Sequence, residues 1–231
     1  MNLLALETST HACSVALRYH DSTFERHVVE AKAHTRLLIP MVQEVLAEGR
    51  AALADLDAIV LGNGPGSFIG MRIAASVAQG LAYGAHLGIV PVSSLAAVAA
   101  EVFCSTATEQ VVVLQDAHMN EVYLAHFRRG EGSLPLADGA SVLHPIGRIE
   151  SLERDDRLRV HAAGAGWQRY PELLRLNADL VADFVDVLYP RASFLLAIGA
   201  AALRNGVKLE PAELVPDYVR SKVASVPGAS A

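Results

Sequence analysis

A glycine-rich segment at residues 64–72 has the composition of an anion-binding turn. Gly64, Gly66 and Ser67 lie between a predicted buried strand and a predicted helix that begins at Ile69. Glycines let the backbone approach a ligand closely, and the amides at a helix N-terminus attract phosphate. The segment lacks the Gly-Lys-Ser/Thr ending of a phosphate loop, and its glycine spacing is one residue off the dinucleotide fingerprint. The alternative is a structural turn in which Ser67 caps the helix.

Two carboxylates end apolar strands in matching positions. Glu7 ends the first strand and is followed by Thr8 and Ser9, and Asp116 ends a later strand before a similar turn. The hydroxyls and amides of such a turn can contact phosphate, while a carboxylate can hold Mg²⁺ through water. Together with the glycine-rich segment, the two acids would flank a nucleotide cleft, as in an ATP-dependent phosphotransferase. No lysine, arginine or general base can be singled out near either turn, and the alternative is an ordinary hairpin.

Metal and covalent chemistry have no local support in the sequence. None of the nine histidines forms a His-x-His or His-x-x-x-His pair, the spacings that place two ligands together. Cys13 and Cys104 form no Cys-x-x-Cys pair and lie in apolar runs, which predicts two small buried side chains. Ser67 and Ser94 lack the Gly-x-Ser-x-Gly context of a serine hydrolase.

The elements that position these residues follow from hydrophobic periodicity. Strands are predicted at residues 2–7, 12–18, 23–29, 57–61, 89–92, 111–115, 121–127 and 159–163. Helices are predicted at residues 34–49, 69–85, 93–103, 167–176 and 190–204, with a loose stretch at 129–157. The hairpin that follows Glu7 is repeated at Asp116, which indicates a duplicated domain unless the two hairpins merely look alike.

This order predicts an α/β fold with mixed sheets of the ribonuclease-H or actin type. We expect an N-terminal domain at residues 1–105, completed by the helix at 190–204. A smaller C-terminal domain is expected at 106–189, with a tail at 217–231.

The first two helices present more apolar surface than one sheet contact requires. The helix at 34–49 carries two adjacent apolar stripes, and the helix at 69–85 carries alanines and glycines that would let another helix come close. Exposed apolar patches usually mark interfaces. The sequence therefore favours a partner-binding surface over the alternative, a single well-buried core.

Composition excludes several classes of protein. The chain has 231 residues, of which 52% are hydrophobic, a mean hydropathy of +0.30 and a formal charge of -6. Such a chain is not disordered, and its charge does not suit a free-standing nucleic-acid-binding protein. The stretch between Arg72 and Glu101 has no charged residue, but its glycines and Pro91 indicate buried core and not a membrane span. No secretory segment is recognised, and a reducing cytoplasm is the expected compartment.

Segments along the whole chain resemble the TsaB (YeaZ) family of bacterial proteins for tRNA threonylcarbamoyladenosine biosynthesis. The most specific part is Gly-Pro-Gly-Ser-Phe followed by Gly-x-Arg at residues 64–72. The other parts are residues 3–10, His34 with 38–40, 91–95, 121–123, 164–167, 189–192 and 216–220. The chain departs from the family at Glu7, Ile69 and His118, where Asp, Thr and Arg are usual.

The resemblance implies a shortened member of the acetate kinase, sugar kinase, Hsp70 and actin superfamily, with two ribonuclease-H-like subdomains of which the second is reduced. It implies a non-catalytic partner of TsaD, the enzyme that transfers the threonylcarbamoyl group from its adenylate to N6 of adenosine 37 of tRNA. The ATPase TsaE is the expected third component, and tRNA is reached only through the complex. TsaD-like proteins carry a metal-binding His-x-x-x-His motif where this chain has Ser94 and Val98. No metal is therefore expected, and a metallopeptidase, suggested by older names of TsaD relatives, is disfavoured.

The resemblance also assigns the sites. The residues expected at the TsaD contact, and at a homodimer contact when TsaD is absent, are Leu37, Leu38, Met41, Val42, Val45, Ile73, Val77 and Leu81. The expected vestigial nucleotide cleft comprises Glu7, Thr8, Ser9, Gly64, Gly66, Ser67 and Asp116. No catalytic residue and no required cofactor are expected in this subunit, and ADP or ATP is a candidate ligand at the TsaD contact.

Overall fold

The first half of the chain forms a five-stranded mixed sheet. The computed structural model describes residues 1–147, 149 and 160–219. The strands are β1 (Leu3–Glu7), β2 (Ala12–Tyr19), β3 (Ser22–Val29), β4 (Ala58–Gly62) and β5 (Gly88–Val92). Their order in the sheet is β3-β2-β1-β4-β5, in which β1 pairs antiparallel with β2 and parallel with β4.

The second half repeats this order when its strands are read from the opposite edge of the sheet. Its strands are β6 (Gln110–Asp116), β7 (Glu121–Arg129), β8 (Pro135–Ala137), β9 (Val142–Pro145), β10 (Val160–Ala163) and β11 (Val181–Phe184). The order is β11-β10-β6-β7-β8, with β9 also paired to β7, and β6 pairs antiparallel with β7 and parallel with β10. The same pairing scheme in both halves confirms the repeat that the two hairpins predicted.

Six α-helices complete a layered α/β architecture in the described residues. They are α1 (His34–Gly49), α2 (Phe68–Ala85), α3 (Ser94–Ser105), α4 (Ala165–Arg169), α5 (Glu172–Leu176) and α6 (Ala192–Arg204). Alternate residues of β1 point to opposite sides of the sheet. Leu4 and Leu6 pack in one cluster with α1 and α2, while Leu3 and Ala5 pack in another with α6. The first sheet is therefore covered on both faces.

The helices α3 and α6 fill the space between the two sheets. Phe103 and Val98 of α3 pack against Val113 and Phe127 of the second sheet, and Leu195 of α6 packs on the first. On the far side of the second sheet, α4 and α5 contribute Trp167, Tyr170 and Leu173 to another core cluster. Although α3 belongs to the first half by sequence, its apolar side packs on the second. The domain boundaries remain a prediction.

Several elements differ from the sequence prediction. The helix predicted at 167–176 is two short helices, which are separated at Tyr170 (φ -128°, ψ 74°). The break occurs because Pro171 lacks an amide hydrogen and disfavours helical backbone at the residue before it. The strands β8 and β9 lie in the stretch predicted to be loose, and β11 was not predicted. Cys104 is exposed and not buried as predicted, whereas Cys13 is buried. The burial of Cys13, together with the nearby charge of Glu7, raises its thiol pKa to about 12.

Residues 209–219 form a segment, hereafter the C-terminal strap, that runs along the first half and contains one short 3-10 helix at Pro211–Glu213. Leu209 pairs with Ile89 of β5, and Gln79 of α2 donates a hydrogen bond to the carbonyl of Pro211. Val219 packs against the cluster between α3 and the second sheet. Residues 217–219, predicted to begin a tail, are thus packed, and the rest of the predicted tail lies outside the described residues.

The charge-free stretch after Arg72 is built from α2, β5 and most of α3. Among the residues with described positions, no helix combines the length and apolar character needed to cross a bilayer.

Candidate functional site

The turn after β1 and the glycine-rich segment are packed directly against each other. The backbone amide of Ser67 donates a hydrogen bond of 2.6 Å to the carbonyl of Ser9, and the Thr8 hydroxyl donates one of 2.7 Å to the carbonyl of Gly70. A Cβ at Gly66 would overlap the Ser9 backbone, so glycine is required by this close approach. These two hydrogen bonds hold the turns together.

Ser67 also begins α2. Its hydroxyl accepts a hydrogen bond of 3.2 Å from the amide of Gly70, which confirms the predicted cap. Gly64 has φ +91°, a backbone conformation that favours glycine, and its amide donates to the hydroxyl of Ser94 at the start of α3. Both glycines of the turn thus have structural roles.

Glu7 lies beneath these turns and is fully buried. Its Oε1 accepts a hydrogen bond of 2.6 Å from the amide of Ser9, while its Oε2 has no partner among the described residues. Burial raises the pKa of the Glu7 carboxyl, and the nearby polar groups of Ser9, Ser94 and Thr8 only partly oppose this effect. The carboxyl is thus biased towards its neutral form.

This setting does not fit a magnesium nucleotide. Magnesium prefers charged oxygen ligands and keeps several of its waters. The Glu7 carboxyl lies so close to Gly62 that a Cβ at position 62 would overlap Oε2. No space is left between them for a hydrated metal ion. Within the parts of the chain that the structure describes, no three histidine, cysteine or acidic side chains group as metal ligands.

Asp116, the remaining residue of the predicted cleft, belongs to a different set of contacts. Its Oδ1 accepts hydrogen bonds from the amide of His118 at 2.8 Å and from the hydroxyl of Tyr170 at 3.0 Å. Burial and this bond to Asp116 raise the pKa of the Tyr170 hydroxyl. The structure thus brings six of the seven cleft residues together around Glu7, while Asp116 is hydrogen-bonded within its own half. Nucleotide binding at these residues stays a prediction.

The predicted contact face of α1 lies partly inside the protein. Met41, Val42 and Val45 are at most 4% exposed, because they pack in the core cluster between α1 and the first sheet. These three side chains present almost no surface to a partner in the isolated chain, and their part in a contact stays a prediction. Leu38 is also buried, but it forms the floor of a surface groove. Leu37, Ile73, Val77 and Leu81 are partly buried, and their role in a contact remains a prediction.

A groove between α1 and α2 opens to the outside of the first half. Hereafter the outer groove, it encloses about 380 Å³. Its apolar lining comprises Leu38, Ile39, Ile69, Ile73 and Val77. Ile39 is 52% exposed and Ile69 is 70% exposed, although both are large apolar side chains. The sequence pattern assigns neither residue to an interface, since Ile39 lies outside the two apolar stripes of α1 and Ile69 stands out only as a departure from the family pattern.

The same side of α2 continues with small residues. Ser76, Gly80 and Gly84 follow one another at intervals of four, which places them on one side of the helix. A Cβ at Gly80 or Gly84 would contact nothing within 4 Å. Another helix can therefore come close to α2 beside the outer groove.

His34 forms one end of the groove at the start of α1. It is 7% exposed, and its Nε2 lies 3.3 Å from the carbonyl of Ala12. Because a carbonyl only accepts, Nε2 carries the hydrogen of this bond. His34 thus packs against the start of β2.

Comparisons with known proteins agree on the family. The family model described as "TsaD: tRNA N6-adenosine threonylcarbamoyltransferase" matches residues 28–226. The tRNA threonylcarbamoyladenosine biosynthesis protein TsaB of Haemophilus influenzae is 34% identical over 231 residues, covering 96% of this chain and 95% of that protein. The protein of the same name from Escherichia coli is 35% identical, covering 97% of this chain and 96% of its own.

Solved structures agree with these sequence relatives. A Pseudomonas aeruginosa structure described as similar to peptidase YEAZ has a TM-score of 0.87 and 34% identity, and covers 95% of this chain and 99% of its own. A second structure, YeaZ from Pseudomonas aeruginosa, has a TM-score of 0.86 and 34% identity, and covers 94% of this chain and 99% of its own. With the two matched sheets and the glycine-rich turn at the start of α2, these similarities show that the chain belongs to the TsaB (YeaZ) family of tRNA threonylcarbamoyladenosine biosynthesis proteins, with an actin-like α/β fold.

Proposed function

We propose that this chain is a non-catalytic subunit that binds TsaD and supports transfer of the threonylcarbamoyl group to N6 of adenosine 37 of tRNA. TsaD carries the catalysis, TsaE is the third component, and tRNA is contacted only in the complex. The proposal is supported by the names of the relatives, which concern threonylcarbamoyladenosine biosynthesis, and by the match to the TsaD family model.

The observation that carries the proposal is the outer groove. Isolated apolar residues are common on protein surfaces, but contiguous apolar patches mark interaction sites. Here Ile39 and Ile69 face solvent beside an apolar groove, and the bare side of α2 at Gly80 and Gly84 adjoins it. A helix of TsaD laid along this side would bury these side chains. When TsaD is absent, a second copy of the chain can cover the same groove, so homodimer and TsaD complex would compete.

The absence of catalysis in this subunit is part of the proposal. Its support lies in the turns around Glu7, where the amides of Ser9 and Ser67 and the hydroxyl of Thr8 are bonded within the chain and the carboxyl is buried. A phosphotransferase needs a cleft that admits both phosphate and metal between such turns. Measurable ATP hydrolysis or tRNA modification by the purified chain alone would overturn this part.

The binding proposal is tested with TsaD from the same organism by calorimetry. Ile39→Asp and Ile69→Asp would place a charge in the apolar contact, and we expect each to weaken binding by more than about thirtyfold, because an unpaired buried charge is costly. Both side chains are more than half exposed, so the fold should stay intact. Met41 would be a poor choice for this test, since it is 4% exposed and an aspartate there would destabilise the core.

Leu176→Asp provides the matched control. Leu176 lies on α5 of the second half and is 49% exposed, close to the value for Ile39. We expect this variant to bind TsaD with unchanged affinity. Equal binding by all three variants would remove the outer groove as the TsaD contact, and no binding by the unaltered chain would reject the proposed function itself.

A further inference from the structure

Arg72 stands at the edge of the outer groove in an unusual environment. It lies on α2, it lines the groove, and its side chain is exposed to solvent. Its guanidinium carbon lies 3.7 Å from the centre of the Phe68 ring, and its Nε donates a hydrogen bond of 2.9 Å to the hydroxyl of Tyr218 in the C-terminal strap. The rings of Phe68 and Tyr218 are themselves 5.2 Å apart. Residues from α2 and from the strap, 146 positions apart, thus hold one side chain.

Among the described residues, these contacts give Arg72 aromatic and hydroxyl neighbours but no acidic partner. In the portion of the chain with described positions, no carboxylate pairs with Arg72. The hydrogen bond from Nε occupies only one edge of the guanidinium. The two terminal nitrogens, Nη1 and Nη2, make no hydrogen bond to any described residue. Such a pair of nitrogens matches the two oxygens of one carboxylate.

Arg36 of α1 shows the contrast. It is also exposed, but its Nη2 pairs with Glu30 at 2.7 Å, and it is not part of the groove lining. The polar side chains that line the outer groove are His34, Thr35, Arg72 and Ser76, and none of them is acidic. The groove is therefore complementary to an apolar segment that also carries a negative charge.

We infer that Arg72, fixed by Phe68 and Tyr218, is a preformed receptor for an aspartate or glutamate of the TsaD segment that occupies the outer groove. The inference rests on the proposed function and adds the chemistry of the partner: an apolar helix with a carboxylate near one end. It also gives the C-terminal strap a role, because Tyr218 orients Arg72 before binding and so lowers the ordering cost.

The test measures TsaD binding by calorimetry at two salt concentrations. We expect Arg72→Gln to weaken binding by about tenfold or more, since truncating one member of a charge pair at an interface strands the other. Arg72→Lys keeps the charge but loses the paired nitrogens, so its affinity for TsaD should lie between those of the unaltered chain and Arg72→Gln. Tyr218→Phe removes only the orienting hydrogen bond and should weaken binding by about fivefold, the effect of one hydrogen bond. The affinity of the unaltered chain should fall with added salt more steeply than that of Arg72→Gln.

Arg36→Gln is the control, and it should bind TsaD with unchanged affinity. Thermal unfolding of every variant checks that the fold is retained. In a charge reversal, Arg72→Glu should lose TsaD binding, and exchanging the TsaD carboxylate that pairs with Arg72 for arginine should restore it. Equal affinities for Arg72→Gln and Arg36→Gln would overturn the inference while leaving TsaD binding intact. ADP binding to the chain alone that is lost in Arg72→Gln would also overturn it, because the anion would then be a phosphate. Failure of the unaltered chain to bind TsaD would instead reject the proposed function.

Discussion

The helix pair α3 and α6 and the helix pair α1 and α2 are both apolar, but their surroundings are opposite. The first pair lies between two sheets, and Phe103 and Leu195 are at most 1% exposed. The second pair covers one sheet only, so its inner residues are buried while Ile39 and Ile69 face solvent. The difference shows that apolar helix faces in this fold have two surroundings, because one pair is covered by both sheets and the other keeps large apolar side chains exposed to solvent.

The largest expected effect is on the free energy of unfolding, when one apolar side chain of each helix pair is truncated to alanine. Phe103→Ala should lower the free energy of unfolding by about 3–5 kcal/mol, because it leaves a cavity between α3 and the second sheet. Ile69→Ala should change it by less than about 0.5 kcal/mol, since the side chain is largely exposed. Urea unfolding of both variants measures this contrast. Similar losses in the two variants would show that the pairs are not surrounded as described.

Glycines provide the next contrast. Gly199 of α6 packs against β4, where a Cβ would lie 2.5 Å from Cγ2 of Val60. Gly199→Ala should therefore destabilise the protein by about 1–3 kcal/mol through overpacking, although alanine favours helix. Thermal and urea unfolding would detect this loss. A stabilised variant would mean that α6 has room to move from the sheet.

Glu7 tests how strongly the region around the start of α3 excludes water, because it is fully buried next to Ser94. Its raised pKa means that the folded state holds the proton more tightly than the unfolded state. Its contribution to stability is thus complete below the ordinary glutamate pKa and is lost as pH rises through the raised value. Glu7→Gln keeps an acceptor for the amide of Ser9 and removes the charge. At pH 8 it should raise the free energy of unfolding by about 1–3 kcal/mol, because it removes the cost of holding an ionised carboxyl in a buried position.

The measurement is the difference in unfolding free energy between Glu7→Gln and the unaltered chain from pH 5 to pH 9. The difference should grow with pH. Glu30→Gln, at an exposed ion pair with Arg36, is the control and should give a small difference that changes little over this range. A gain for Glu7→Gln that shrinks as pH rises would contradict the raised pKa.

The smallest expected effect concerns the open side of α2. Gly80→Ala should stabilise the isolated protein by about 0.5–1 kcal/mol, because alanine favours helix and a Cβ at this position meets nothing. The same methyl group should weaken TsaD binding if a helix approaches closely there. Unfolding and calorimetry on one variant therefore give changes of opposite sign. Unchanged affinity would place the close contact elsewhere on α2.

Strong local signals predicted much of this structure. The periodic pattern of α1 gave its bounds, and the serine at 67 placed the start of α2 to within one residue. The strands β8, β9 and β11 have only three or four residues each. They form by pairing with an edge of β7 or β10, and no local sequence pattern predicts such pairing.

The candidate surface was predictable only in part. Periodicity shows that α1 has an apolar face, but it does not say which side the sheet covers. The family resemblance assigned Met41 and Val45 of this face to the contact, and it did not assign Ile39. The contact between Arg72 and Tyr218 joins distant parts of the chain, and only the folded structure brings them together.

Hydrogen exchange measured by mass spectrometry, with and without TsaD, tests the central claim most directly. Amides that a partner covers exchange more slowly. We predict that TsaD slows exchange in peptides from residues 34–49 and 68–85 and leaves those from 165–176 unchanged. Slower exchange only in the second half, with TsaD bound, would contradict the assignment of the outer groove as its contact.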